Sequence, residues 1–194
     1  MTGRTLNVRF PLINIIAVSC VFERFVPGAL HPDGRRYLPL IVLRPTTPPA
    51  PDAITPEGLR LGVVDRHHLI AESDVGRTGV ARLVFALSAL RVQSPSSRIG
   101  IEPEDGWTTR QASLTPTLYG QVVTVATWEP GGEHLPYRTL YTEMIIDAGI
   151  GMVGLRTTVT AENMTAAIGA ERVVPGDWVE LQRSRIDILA FTPE

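Results

Sequence analysis

The chain has 194 residues and a formal net charge of −2, with 44% apolar and 20% charged residues. That composition excludes a disordered chain and allows a core to close without staples, in one large or two small domains. A single cysteine, Cys20, excludes an internal disulfide and a cysteine metal set, and its apolar surroundings predict a buried structural thiol. Cysteine usage sets the compartment only weakly, and the cytoplasm is the default.

All 18 basic residues are Arg, and the charge is unevenly divided. Residues 1–99 carry a net +5 and residues 100–194 a net −7. Two uses fit this asymmetry. One is a basic recognition face; the other is opposite charges that pair between neighbouring copies or partners. Arg stacks on rings and grips phosphate bidentately, although a GC-rich genome also produces a chain without Lys.

Residues 10–25 are rich in Val and Ile on both parities and predict a buried strand. The run is too short to cross a bilayer, has Asn14 inside it and lacks a small-residue cleavage site, so neither a leader nor a membrane span is expected. Pro27-Gly28, Pro32, Asp33 and Gly34 mark a turn, and residues 37–43 return as the second arm of a long hairpin. Five prolines between positions 45 and 56 predict a stiff extended connector inserted between strands. Strands are expected over 59–70 and 81–92, and residues 99–102 are expected to close the first sheet. The Ser- and Pro-rich stretch 93–98 is the expected boundary between the halves.

The second half repeats the plan. Strands are expected over 118–128, 137–146 and 152–159. Thr160, Glu162 and an apolar stripe through Ile168 then predict a short helix. Pro175-Gly176-Asp177 is a turn, and residues 178–191 form a bent strand whose parity changes at Arg183-Ser184 by a bulge or tight turn.

Three strands, a helix and one or two further strands are the element order of an OB-type Greek-key barrel. The expected fold is therefore all-β with one short helix, as one or two OB-like barrels over residues 1–98 and 99–194. The alternative is a single β-sandwich. An internal duplication is suggested by local echoes: Phe22-Glu23 with Trp128-Glu129, Pro27-Gly28 with Pro130-Gly131, and Gly62-Val63-Val64 with Gly151-Met152-Val153.

No phosphate loop, dinucleotide fingerprint, nucleophile elbow or zinc-protease motif is present, so neither catalysis nor a cofactor is expected. Asp65, His67 and Glu72 are the nearest approach to a metal set. A strand carries Asp65 and His67 on one face, which is half a site, so a solvated strand end is the favoured reading. His31 and His134 fall in proline-bearing loops, where packing is expected.

The binding expectation rests on Arg beside aromatics at strand ends. These are Arg24, Arg35, Arg36, Tyr37 and Arg44 in the basic half and Trp128, Tyr137 and Arg138 in the acidic half, with Phe22, Tyr141 and Trp178 as secondary candidates. Together they would suit stacking of single-stranded nucleic acid, with Arg36 and Tyr37 as the sharpest pair. Two further functions compete. A structural or interaction subunit of an assembly would use the charge asymmetry, and a metal-assisted enzyme would use Asp65, His67 and Glu72.

Overall fold

A computed structural model describes residues 12–94, 97–128, 141–157 and 173–194, with only the backbone described at 126–128, 141–143 and 157. The expected helix after residue 160 lies outside the described residues. The described residues form eleven strands: β1 (Val18–Val26), β2 (Leu40–Pro45), β3 (Leu61–Val64), β4 (Thr78–Ala86), β5 (Ala89–Val92), β6 (Gly100–Glu102), β7 (Thr117–Trp128), β8 (Tyr141–Asp147), β9 (Met152–Thr157), β10 (Trp178–Gln182) and β11 (Ile186–Pro193). A single 3-10 turn at Glu72–Asp74 is the remaining regular element among them.

Five strands close into a barrel in the order β1-β2-β3-β11-β4 and back to β1. β1, β2 and β3 form an antiparallel meander. β3 then meets β11 in parallel, and β4 joins β11 to β1 in antiparallel pairing. This is the Greek-key order of an OB-type barrel, and it is the expected all-β class. The strands close into a ring rather than stacking as the two sheets of a sandwich.

A second ring follows the same plan. β7, β8 and β9 form another antiparallel meander, β10 returns to β7, and β9 meets the end of β4 in parallel. β5, which continues β4 past a break at Leu87-Ser88, pairs with β10 to close the ring. Each ring thus takes its fifth strand from the other half of the chain.

The two long segments 78–92 and 178–193 run antiparallel against each other, from Val92 opposite Val179 to Gly79 opposite Pro193. Where they cross, Ala86 N–H donates to Arg185 O at 2.9 Å, and the Ser184 hydroxyl donates to Ala86 O. Arg183 takes φ +44° there, which is the register change expected at Arg183-Ser184. The boundary expected near residue 98 therefore separates the two meanders, but the sheet is continuous across it.

The burial pattern explains why these residues form rings. One apolar cluster runs from Val18, Cys20 and Phe22 through Leu83 and Phe85 to Ile186 and Ile188, all almost fully buried. A smaller cluster lies outside the rings. Leu12, Ile13 and Ile16 cover Val84, Ile145 and Leu189, and Arg82 holds the carbonyls of Ile13 and Ile16.

Several strands are shorter than hydropathy predicts. The 59–70 strand stops at Val64 because the Asp65 side chain draws the chain into a loop. β1 starts at Val18 because residues 12–15 form a turn. Residues 99–102 pair with β7 of the second half, not with the first meander.

Candidate functional site

The end of β1 runs past its pairing with β4. β1 pairs with β4 over Val18–Val21, and its last such contacts are Phe22 N–H to Arg77 O and Gly76 N–H to Phe22 O. Beyond that point β1 pairs, among the described residues, with β2 alone, while β2 stays paired with β3 as far as Leu40, and the two strands carry the connecting residues 27–39. This connection has its own backbone bonds: Tyr37 N–H to Ala29 O at 2.9 Å, His31 N–H to Arg35 O at 2.7 Å and Gly34 N–H to His31 O at 2.9 Å. Gly28 lies so close to the Tyr37 backbone that any Cβ there would collide with it. Asp33 accepts from Arg35 N–H at 3.0 Å and lies 2.9 Å from His31 Nδ1, and His31 meets Tyr37 edge to face. The tip is thus a shaped knob.

Three of the sequence candidates, Arg35, Arg36 and Tyr37, lie on this knob, and Arg24 lies below it on β1, opposite Val42. Tyr37 is 59% exposed, and Arg24 and Arg36 are exposed with no ion partner among the described residues. The Arg35 side chain is 88% exposed and 3.9 Å from Asp33, too far and too wet to be held firmly. The sequence reading missed the aliphatic part of the knob. Val26, Leu30 and Leu38 stand exposed around Tyr37. The signal was available, since apolar residues next to Pro27-Gly28 and Pro32 cannot sit in a buried strand.

Arg44 does not join them. It lies at the far end of β2, where its Nε donates to Glu23 Oε1 at 2.6 Å while Arg60 Nε donates to Glu23 Oε2 at 2.5 Å. Partial burial raises the Glu23 pKa, but the two guanidiniums outweigh it and hold the carboxyl below its usual range. Arg44 is therefore engaged in an ion pair rather than standing free. The stacking role expected of Phe22 is corrected, because its ring is fully buried and meets Phe191 at 5.6 Å. Trp178 is half-buried. Only the backbone of Trp128 and Tyr141 is described, and Tyr137, Arg138 and His134 lie outside the described residues.

Much of the remaining Arg set is also engaged. Arg91 meets Glu180 at 2.9 Å, Arg66 is 3.9 Å from Asp187, and Arg98 is 3.8 Å from Glu102 while lying over the Tyr119 ring. Each of these ion pairs joins the basic half to the acidic half. Part of the charge asymmetry is therefore spent inside the chain.

The Asp65 group is a loop cap. Its carboxylate is 1% exposed and accepts from Leu69 N–H at 3.0 Å, Ile70 N–H at 2.9 Å and His67 N–H at 3.3 Å. That set of bonds bends the chain through His68 at φ +52°. Glu72 is exposed in the 3-10 turn. No group of three or more potential metal ligands is found among the described residues.

A concavity lies at the other end of β2. The proline connector and its neighbours frame an open groove of about 510 Å³ lined by Pro45, Pro48, Pro49, Pro56, Glu57 and Leu59, among others.

Comparison of the chain with protein-family models, curated proteins and solved structures finds no match in any of the three. Among the described residues, no helix is long and apolar enough to cross a membrane.

Proposed function

We propose that the protein is a non-catalytic interaction subunit that docks on a protein partner through the β1–β2 knob. The observation that carries this reading is the clustering of exposed apolar side chains. Val26, Leu30, Tyr37 and Leu38 are four of the nine large exposed hydrophobics among the described residues, and they fall within residues 26–38. Isolated exposed apolar groups need no explanation, but a patch of them on a hydrogen-bonded protrusion does. Tyr and Arg around an aliphatic centre are the residue types that anchor protein interfaces. Cysteine usage keeps the cytoplasm as the proposed compartment.

Single-stranded nucleic acid is a second reading, and one observation favours it: Arg36 and Tyr37 are adjacent, exposed and unpaired by carboxylates. It ranks lower because Tyr37 is the single exposed ring among the described aromatics and sits on a convex tip. Strand-tracking sites use a groove with several stacking platforms.

A photo-crosslinking amino acid at position 37, in cells producing the protein, tests both readings. A discrete protein adduct supports docking. A nuclease-sensitive adduct supports the second reading. No adduct at position 37 or at position 30 overturns both.

A further inference from the structure

We infer that the chain has a second closed form, a dimer in which two copies exchange halves, so that residues 1–93 of each complete both barrels with residues 98–194 of the other. The halves meet as two subunits do, about an approximate two-fold axis. Phe85 pairs with Ile186. Shifting each of them by one hundred positions, the offset between the halves, gives Arg185 and Ala86, whose backbones are likewise bonded at 2.9 Å. The parallel contact of Asp187 with Val64 is answered by Leu87 N–H donating to Arg156 O at 3.0 Å. Ile16 of the first half lies over Gly154 of β9, and Leu114 of the second half lies over Gly62 of β3, each so close that a Cβ on the glycine would meet it. Such an interface is isologous, and exchange of identical elements across it is a low-cost route to a dimer.

Nothing in that interface requires its two sides to belong to one chain. The pairing of segments 78–92 and 178–193, the ion pairs Arg91–Glu180 and Arg66–Asp187, and the backbone bonds between Ala17 and Met152 all cross from one half to the other. Each forms equally well between two copies. Cys20 is the single cysteine, so the backbone between Gln93 and Arg98 is the one covalent link between the halves. That link lies at the end of the long strands, where Val92 pairs with Val179, and not at their crossing by Ala86 and Arg185. It turns back on itself, with Gln93 Nε2 donating to Arg98 O at 3.0 Å and Arg98 N–H donating to Gln93 Oε1 at 2.7 Å. Opening this turn is the one rearrangement the exchange needs, and Pro95 within the link biases Ser94 toward the extended backbone of an open one. The two forms then differ in the turn and in the entropy of joining two copies. A short link sets the effective concentration of one half near the other at about the millimolar range, so the dimer competes when the protein itself reaches that range.

Refolding full-length chains that carry a protease site in the 94–97 connection, as a mixture of isotopically labelled and unlabelled copies, tests the inference. Refolding at about 1 mM should give a species of twice 21.2 kDa beside the monomer, and refolding at about 1 µM the monomer alone. The isolated dimer, once cut, should fall to the size of the uncut monomer. Native mass spectrometry should then find labelled first halves paired with unlabelled second halves. The monomer from the same refolding, cut alike, should hold matched halves. A dimer that keeps its size after cutting is a surface contact and overturns the inference. So does a cut dimer no richer in mismatched pairs than the cut monomer, and so does a chain that stays at 21.2 kDa at both concentrations. Should refolding lose the protein to aggregation, native chains held at about 1 mM just below the melting temperature give the same readouts.

Discussion

Phe22 and Val122 occupy the same place in the two barrels, one hundred residues apart. Phe22 N–H donates to Arg77 O at 3.0 Å, and its carbonyl accepts from Gly76 N–H at 2.7 Å. Val122 N–H donates to Asp177 O at 2.8 Å, and its carbonyl accepts from Gly176 N–H at 2.8 Å. A break in register follows each of them, between Phe22 and Arg24 and between Val122 and Thr124. The halves are therefore two copies of one plan in which the last long strands have changed places.

The paired turns give the first prediction. Gly76 and Gly176 have φ +87° and +99°, and a Cβ at either would meet nothing within 4 Å. Gly76→Ala and Gly176→Ala should each cost about 1 kcal/mol, by backbone strain alone, and nearly the same amount. Gly151→Ala should cost clearly more, because at φ +133° its Cβ would also meet Ala17 O at 2.3 Å. Urea unfolding of the three variants checks the order.

Glu23 gives the second. Its carboxyl is held below its usual range, so the stability it contributes is complete above a pH of about 4.5 and is lost as pH falls through the depressed value. Glu23→Gln should cost about 1–2 kcal/mol at neutral pH, leaving Arg44 and Arg60 without their carboxylate. It should also flatten the acid limb of stability against pH. An unchanged acid limb would show that the pair of ion pairs contributes nothing measurable.

At the alkaline end the sign reverses. Burial pushes the Cys20 thiol up to about 12 from 9.0, and burial together with Glu102 pushes the Tyr119 hydroxyl up to about 12 from 10.0. Both groups ionise more easily in the unfolded chain, so stability should fall from about pH 9 to about pH 12. Cys20→Ser should remove the earlier part of that fall. In the folded protein Cys20 should resist thiol reagents near pH 8 and react at the rate of opening, as followed by mass spectrometry.

Much of this architecture was legible in the sequence. Alternation and turn residues placed most of the strands. The echoes that suggested duplication were nevertheless out of register. They paired Phe22 with Trp128, whereas the backbone pairs it with Val122, because turn residues recur more readily than the bulge positions that fix a strand. The exchange of long strands could not be read at all. Leu83, Phe85, Ile186 and Ile188 would be equally apolar in either barrel, and nothing local says which partner they choose. At the candidate site, the exposure of Arg36 and Tyr37 follows from their turn-rich surroundings, while the ion pair of Arg44 could not be read because its partner Glu23 lies on the adjacent strand.

The central claim is that neither half can complete its barrel alone. Cutting the intact protein at a protease site placed in the 94–97 connection, followed by gel filtration in native buffer, tests it most directly. The account predicts that both fragments elute together at the position of the uncut chain and separate only in denaturant. Separation into two folded fragments in native buffer would contradict it.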